Sequence, residues 1–257
     1  MNLSTTEITS GAISSDNPIH QRLLFAYAEA GKMVQGNLLD VGCGEGRGID
    51  YLMKNTTNYT AIDKIQLVLD TLKLKYPSAH FYQGNIPPFP IQENEQFDTV
   101  VSFQVIEHIE DDEAYVQEIK RMLKPGGKAI ISTPNLKMSL TRNPWHIREY
   151  TVEEFRNLFQ KYFSKVEVKG VYGSEKVNAY FEQNKKSVQK ITRWDIFNLQ
   201  YNLPRTWLQI PYDILNRMNR NKLQTTNDEL VKSITINDFE LRTAKDDCYD
   251  LFIIAEK

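Results

Sequence analysis

Short apolar runs alternate with amphipathic segments over most of the chain, and this alternation predicts strands separated by helices. The runs are rich in Val, Ile, Leu, Phe and Tyr, and Gly, Pro, Asn or Asp residues bound them. Seven strands are predicted in this way, at 37–41, 59–63, 79–83, 97–103, 128–133, 165–173 and 249–257. Continuous apolar strands that alternate with helices are typical of an α/β fold, whose mostly parallel sheet has helices on both faces.

Helix signals fall between these strands. Asn17 and Pro18 favour a helix start, because Asn is a good N-cap and Pro suits the first turn, and the apolar spacing then runs to Gly31. Thr151 and Glu154 form the pattern of a capping box, which opens a later helix. Other helices are predicted at 48–55, at 66–76 and from Asp111-Asp112 to the Pro-Gly-Gly turn.

These elements divide the chain into three parts. Residues 1–16 are polar and are expected to form a flexible tail, and residues 17–257 are expected to form one domain. Within that domain, about 175–230 is largely helical in pattern and lies before the last strand, where the core does not need it. We therefore expect a helical insertion there.

The stretch LLDVGCGEGRGID, residues 38–50, places four glycines directly after the first strand. Such a loop lets the backbone approach a nucleotide closely. A dinucleotide-binding loop needs G-x-G-x-x-G, but the third glycine is replaced by Arg47 in the register of Gly42 and by Ile49 in the register of Gly44. A Walker A Lys-Ser/Thr pair is also missing, so the loop does not suit a pyrophosphate.

D-V-G-C-G-E-G, residues 40–46, resembles motif I of the class I S-adenosylmethionine-dependent methyltransferases. The resemblance continues through QGNIPPF, FDTVVSFQVIEHIED and MLKPGGKAIISTPN, and it covers approximately residues 17–173. It implies a Rossmann-like sheet of seven strands with the last strand antiparallel. It also implies a transferase that uses S-adenosyl-L-methionine as cofactor and releases S-adenosyl-L-homocysteine.

The cofactor candidates follow the strand ends. Asp40 suits the cofactor's ammonium group, Asp63 suits the two ribose hydroxyls, and Asn85 suits the adenine amino group through its carbonyl oxygen. Arg22 on the first helix is a candidate partner of the cofactor carboxylate, although a solvated arginine is the simpler interpretation. The remaining candidates lie in or beside the same motifs: Gly42, Cys43, Gly44, Gly46, Lys64, Ile86, Phe103 and Gln104.

Two histidines are candidates for a general base, which is typically worth about 10²–10⁴-fold in rate. They are His108 in VIEHIED and His146 in RNPWHIREYT, and a purely structural role is the alternative for each. VIEH resembles ubiquinone-biosynthesis O-methyltransferases and small-RNA 3′-terminal 2′-O-methyltransferases, some of which hold a divalent metal with E-x-x-E-H and a distant histidine. Gln104 replaces the first acid, so no metal is expected, and Glu107, His108 and His146 are only weak candidates.

Composition limits the classes of partner and the cellular location that we expect for the protein. The 257 residues carry a net charge of −2, which excludes a generally basic nucleic-acid binder. Cys43 and Cys248 cannot form a disulfide framework, the N-terminal segment lacks an apolar signal region, and no apolar run approaches the ~20 residues that span a bilayer. We therefore expect a soluble protein of the cytoplasm.

The insertion alters this average picture, because residues 176–222 hold nine Lys/Arg against three Asp/Glu, interleaved with large aromatic residues. A membrane-contact element over 190–222 at the inner face of the membrane, a lid over the acceptor and a plain structural cover all fit this pattern. The favoured function is O-methylation of a small, sugar-linked or lipid-linked acceptor by direct in-line transfer. The alternatives are an RNA 2′-O-methyltransferase, although nucleic acid is not the expected partner, and a non-catalytic cofactor-binding scaffold.

Overall fold

The computed structural model describes residues 13–257, and at its centre lies one sheet of eight strands. The strands are β1 (Gly36–Val41), β2 (Thr56–Asp63), β3 (His80–Gln83), β4 (Phe97–Phe103), β5 (Leu123–Pro134), β6 (Lys165–Gly173), β7 (Phe239–Thr243) and β8 (Asp250–Glu256). Their order across the sheet is β3-β2-β1-β4-β5-β8-β6-β7. Strands β1 to β6 are parallel to one another, whereas β8 and β7 are antiparallel to their neighbours.

Helices cover both faces of the sheet. They are α1 (Asn17–Gly31), α2 (Ile49–Leu52), α3 (Gln66–Lys75), α4 (Asp112–Met122), α5 (Val152–Gln160), α6 (Glu175–Thr192), α7 (Leu199–Asn202), α8 (Arg205–Thr226) and α9 (Asp228–Ser233). Successive strand residues point to opposite faces, so Val100 and Ile131 join the core under α4 and α5, while Val101 and Ile130 join the core under α1 and the insertion. Because both faces are buried, these strands read as continuous apolar runs.

The predicted α/β architecture is confirmed, but the sheet has eight strands and not seven. The missed strand, β7, has the sequence FELRT, in which only Phe239 is buried. It lies at the edge of the sheet, where charged side chains face water, and this is why it lacks the apolar signature of the inner strands. The helix predicted at 48–55 is also shorter, because α2 passes at Met53 into a 3-10 turn.

A flexible tail was predicted for residues 1–16, of which residues 1–12 lie outside the described part of the chain. Its last residues need a correction, because Ser14–Asp16 forms a 3-10 turn that leads directly into α1. The Asp16 side chain is fully buried, and its Oδ1 lies 2.8 Å from Arg217 Nη1 and 3.0 Å from Arg220 Nη1. A residue expected to be mobile is therefore a fixed contact between α1 and α8.

The helical insertion was predicted at about 175–230, and the structure places helices α6 to α9 there, ending at Ser233. The insertion packs on α1 as well as on its own helices. The Asn17 amide donates hydrogen bonds to the carbonyl oxygens of Val231 and Ile234 at 2.7 and 2.9 Å. The C-terminal part of the insertion is thus fastened to the start of the first helix, through α8 and through the end of α9.

Substitution of Asp16 measures how much this fastening contributes. Asp16→Ala removes the buried carboxylate that the buried Arg220 and the half-buried Arg217 both contact, and breaking a buried ion pair from one side typically costs about 3–5 kcal/mol. We expect a loss of that size in the free energy of unfolding from denaturant titration. Asp228→Ala, which removes an exposed ion pair with Lys232, is the matched control and should cost less than about 1 kcal/mol. Equal losses in the two variants would contradict this role for Asp16.

Candidate active site

The parallel strands bring the predicted site residues to one edge of the sheet. Asp40 lies near the end of β1, Asp63 ends β2, and Gln104 follows β4. The carboxyl ends of β1, β2, β4 and β5 therefore form a common rim, which is where ligands bind in open α/β sheets.

Asp40 carries a buried acceptor atom that the protein leaves unused. Its side chain is fully buried, and Tyr59 donates a hydrogen bond from its hydroxyl to Oδ2 at 2.7 Å. Among the described residues, Oδ1 has no hydrogen-bond partner. Burial raises the pKa of Asp40 to about 7, against the opposing effect of the Tyr59 hydrogen bond. A buried acceptor without a partner favours a ligand that donates hydrogen bonds.

The glycine loop fixes Asp63 and leaves one side open. The Gly44 N–H donates to Asp63 Oδ2 at 2.8 Å, and the Ile65 N–H donates to Oδ1 at 3.0 Å. Gly44 has a φ of +51°, and a Cβ atom built there would meet no described atom within 4 Å. Gly48, in contrast, is needed for packing, since a Cβ there would lie 1.9 Å from the ring of Tyr27 on α1. The loop is therefore held from α1 and accessible at Gly44.

The other predicted cofactor residues are placed in different environments. Cys43 is buried, and Phe103 is buried with its ring 4.5 Å from that of Tyr27, in the core. Lys64 and Asn85 are exposed, and Ile86 is half-buried. Gln104 adopts a φ of +59°, a conformation that is uncommon for a residue other than glycine and is often found at functional sites.

Arg22 has a partner within the chain. Its Nε lies 3.1 Å from Asp250 Oδ2, and its guanidinium lies 6.0 Å from the centre of the Tyr249 ring. Burial raises the pKa of Asp250, which is the only charged residue within the last strand's apolar run DLFII. Arg22 was a candidate partner of the cofactor carboxylate, with a solvated arginine as the simpler interpretation, and the structure places it in an ion pair with Asp250 at the wall of a cavity.

Together, these features fit S-adenosylmethionine. The unpartnered Asp40 oxygen suits an ammonium group, the open side of Gly44 leaves room beside the backbone, and the Asp63 carboxylate is oriented by two N–H groups. Each Asp63 oxygen retains acceptor capacity for a hydroxyl. The set of groups is one that binds a cationic, hydroxyl-bearing nucleoside.

A cavity of about 620 Å³ opens beside this rim. Its walls come from α1, the ends of β4 and β5, the loop from 136 to 149, and helices α6 and α8 of the insertion. Gln104, Glu107, His108 and His146 line it at the sheet edge, and Asn219 lines it from α8. The volume is typical of a site for a small organic ligand.

His146 forms a dyad with an acid. Its Nδ1 lies 2.6 Å from Glu149 Oε1, and its Nε2 lies 2.8 Å from the Asn143 side-chain amide nitrogen. Glu149 also accepts a hydrogen bond from Ser139. A carboxylate at Nδ1 fixes the tautomer and orientation of the imidazole and leaves Nε2 as its basic atom, as in hydrolase triads.

His108 lies beside this dyad, with its ring centre 5.0 Å from that of His146. Its Nδ1 lies 3.0 Å from the carbonyl oxygen of Trp145, which can only accept, so Nδ1 carries the proton. Burial lowers the pKa of His108 to about 4, with a further contribution from His146. His108 is therefore neutral at physiological pH.

The three weak metal candidates also come together. One ligand atom from each of Glu107, His108 and His146 lies within 4.8 Å of the others. Glu107 is buried, accepts a hydrogen bond from the Thr133 hydroxyl at 3.0 Å, and has its pKa raised to about 7 mainly by burial. Gln104 contributes no anionic ligand to these three residues, so their affinity for a hard cation is low.

Sequence reasoning missed four residues of the site. Tyr59 and Asp250 contact the predicted residues from other elements, whereas Asn143 and Glu149 lie in the same loop as His146, three residues before and after it. Asp250 did carry a signal, because an acid within an apolar strand requires a buried partner. Asn143 and Glu149 lie in RNPWHIREYT beside His146, but their contacts with its ring do not follow from the spacing, and Tyr59 carried no signal.

Known proteins resemble this chain over its core. Residues 39–131 match the family described as a methyltransferase domain. A probable S-adenosylmethionine-dependent methyltransferase of Mycolicibacterium smegmatis is 34% identical over 147 residues, which is 55% of this chain and 54% of that protein. A ubiquinone biosynthesis O-methyltransferase of Psychrobacter arcticus is 29% identical over 221 residues, covering 80% of this chain and 76% of that protein. The chain spans about half the length of the mycobacterial relatives that it matches.

Solved structures of methyltransferases also resemble this chain in fold. A methyltransferase structure from Thermotoga maritima superposes with a TM-score of 0.57 at 14% identity, covering 93% of this chain and 91% of that one. Residues 39–131 therefore match a methyltransferase domain, and the proteins that the chain resembles include probable S-adenosylmethionine-dependent methyltransferases. S-adenosylmethionine is the cofactor that the names of these relatives give.

The raised pKa of Asp40 predicts a pH-dependent stability. The pKa rises from its usual 3.8 to about 7 on folding, so the folded state prefers the protonated acid. The stability that this contributes is complete below about pH 4 and is lost as the pH rises to about 7. Asp40→Asn cannot ionise, so its free energy of unfolding should exceed that of the wild type by roughly 3–4 kcal/mol at pH 8, with little difference at pH 4.

Asp98→Asn is the matched control, since Lys124 and the Asn37 N–H hold the pKa of Asp98 below its usual value despite partial burial. This variant should be less stable than the wild type by a nearly constant amount above about pH 4, and the difference should shrink only at lower pH. Denaturant titrations of both variants over this pH range measure the difference. A pH-independent effect of Asp40→Asn would contradict the assignment.

Proposed function

We propose that the protein transfers a methyl group from S-adenosylmethionine to a hydroxyl oxygen of a small, sugar-linked or lipid-linked acceptor that binds in the cavity. The observation that carries this proposal is the His146–Glu149 dyad, which faces the cavity at the rim where the cofactor residues lie. The dyad lines the same cavity as Gln104 and would supply the base that alkylation of a hydroxyl requires.

The cofactor site is assigned to groups of this chain. Asp40 Oδ1 would accept hydrogen bonds from the ammonium group, Asp63 would accept them from the ribose, and the backbone around Gly44 would pack against the ligand. When bound, S-adenosylmethionine supplies an electrophilic methyl group on a sulfonium. An ammonium beside Asp40 also favours its ionised form, which compensates the cost of burying that carboxylate.

The dyad supplies the proton acceptor. Glu149 holds the Nδ1 proton of His146 and stabilises the imidazolium that forms when Nε2 takes the proton from the acceptor hydroxyl. Asn143, which contacts Nε2, keeps the ring facing the cavity until the hydroxyl replaces it. His108, neutral and held at Trp145, packs against the ring and limits its rotation.

The cavity favours an acceptor with both polar and apolar parts. Asn219 is 6% exposed and donates to Asn184 Oδ1 at 2.7 Å, while its own Oδ1 has no hydrogen-bond partner among the described residues. A hydroxyl on the acceptor would satisfy that oxygen. Leu208 and Leu215 line the same cavity and suit an apolar part. The O-methyltransferase name of the Psychrobacter arcticus relative also supports transfer to oxygen.

Cofactor binding provides the first test. Asp63→Ala should weaken S-adenosylhomocysteine binding by about 1.5–3 kcal/mol in calorimetry, the usual cost of losing hydrogen bonds to a charged group. Asp70→Ala changes an exposed aspartate on α3 and should leave the affinity unchanged. A wild-type protein that binds no S-adenosylhomocysteine would refute the cofactor assignment.

Transfer from labelled cofactor into fractionated cell extract tests the activity and identifies the acceptor as lipid, polysaccharide, RNA or protein. With the fraction that takes up label, His146→Ala should lower kcat by about 10²–10⁴-fold while S-adenosylhomocysteine affinity stays the same. His80→Ala, on the exposed part of β3, is the control and should retain full activity. Glu149→Gln should lower kcat in the same direction as His146→Ala.

Three results would change the proposal. Label found only in RNA would favour the RNA 2′-O-methyltransferase alternative, and cofactor binding without any transfer would favour a scaffold. If a chelator abolishes activity and a divalent ion restores it, the mechanism would use a metal held by Glu107, His108 and His146 in place of the His146 base.

A further inference from the structure

The insertion exposes large apolar side chains that the fold does not use. They lie on α8 and on the segment between α6 and α7, and each is at least 61% exposed: Trp194, Ile196, Phe197, Trp207, Ile210 and Met218. We call these six residues the apolar face. On α8 its members are three and eight residues apart, which places them on one side of the helix. Exposed apolar residues in such a group mark an interaction surface and not a chance exposure.

The apolar face is continuous with the mouth of the cavity. Trp194 belongs to both, since it is 74% exposed and also lines the cavity. Leu199 and Leu215 connect them in the same way, each 45% exposed and each lining the cavity. Exposed apolar side chains therefore lead from this surface to the mouth of the cavity.

Basic residues flank the apolar face. Lys186, Lys190 and Arg193 are exposed along the end of α6, and Arg193 lies 5.1 Å above the ring of Trp194. The nearby acids are engaged inside the protein: Asp195 accepts the N–H of Leu199 at 2.6 Å, and Asp213 accepts the Trp145 indole N–H at 3.2 Å. The charge presented outward is thus positive, which complements anionic lipid headgroups.

We propose that the apolar face docks on an anionic lipid membrane and that the cavity receives its acceptor from the bilayer. Tryptophan and other large apolar side chains with flanking Lys and Arg form the pattern of an element that lies in the membrane interface. Among residues 13–257, no helix has the length and apolarity to cross a bilayer. The contact is accordingly peripheral, and the acceptor is a lipid-linked molecule with a hydroxyl-bearing headgroup.

The acceptor class rests on the proposed function, whereas membrane docking is measured without turnover. The full chain is sedimented with vesicles of phosphatidylglycerol and phosphatidylcholine, and with vesicles of phosphatidylcholine alone. We expect binding to the anionic vesicles, and we expect added salt to weaken it because salt screens the Lys and Arg contacts.

Two double variants divide the apolar and the charged contributions. Phe197→Ser with Trp207→Ser, at positions that do not line the cavity, should reduce partitioning into anionic vesicles by at least about tenfold. Lys186→Gln with Lys190→Gln should reduce the preference for anionic over neutral vesicles. Leu67→Ser with Leu74→Ser removes two equally exposed residues from α3, which are 77% and 86% exposed, and should change nothing.

S-adenosylhomocysteine affinity and thermal unfolding are measured on each variant, so a folding defect is distinguished from a docking defect. No vesicle binding by the wild type would overturn the proposal, and so would equal losses in the α3 control. A second copy of the chain would be the partner of the apolar face if two results came together. The wild type would dimerise with rising concentration in sedimentation velocity but bind no vesicles, and the Phe197/Trp207 double variant would stay monomeric. If vesicles bind but S-adenosylhomocysteine does not, docking stands and the proposed function fails.

Discussion

The ion pairs of Asp16 with Arg217 and Arg220 hold the architecture of the site together. They join the start of α1 to α8, so the insertion lies against the sheet edge and does not project away from it. The cavity has walls from both parts, and without this contact one wall would be free to move. Removing charged groups from water costs free energy unless they are paired with good geometry. The contacts of Asp16 with Arg217 and Arg220 therefore favour one arrangement of α8.

The same helix transmits that order to the cofactor loop. Tyr27 on α1 packs where a side chain at residue 48 would otherwise lie, and Arg22 pairs with Asp250 at the base of the cavity. One 15-residue helix thus contacts the glycine loop, the cavity and the insertion. Asp40 and Glu107 are fully buried acids at this junction, and burial raises the pKa of both. Buried acids with raised pKa values destabilise the fold and are characteristic of functional sites.

The sequence predicted those parts of the structure whose signals are local. Apolar strands, the capping box of Thr151 and Glu154, and the acids at the ends of β1 and β2 are each encoded within a few residues. It could not predict β7, whose edge position removes its apolar pattern, or the burial of Asp16, which depends on α8. The partner of His146 lies only three residues away, but no helix or strand there fixes the spacing, so the dyad emerges only in three dimensions.

The insertion occupies a topologically simple place, because it connects two strands that are neighbours in the sheet. Gly173 at the end of β6 pairs with Phe239 at the start of β7, so residues 174–238 form one enlarged hairpin connection. Closing a longer or shorter connection between fixed ends changes the chain entropy only slowly with length. The insertion can therefore be exchanged or resized in evolution while β1, β2 and β4 keep their register, so one wall of the cavity can vary without moving the strands that carry Asp40 and Asp63.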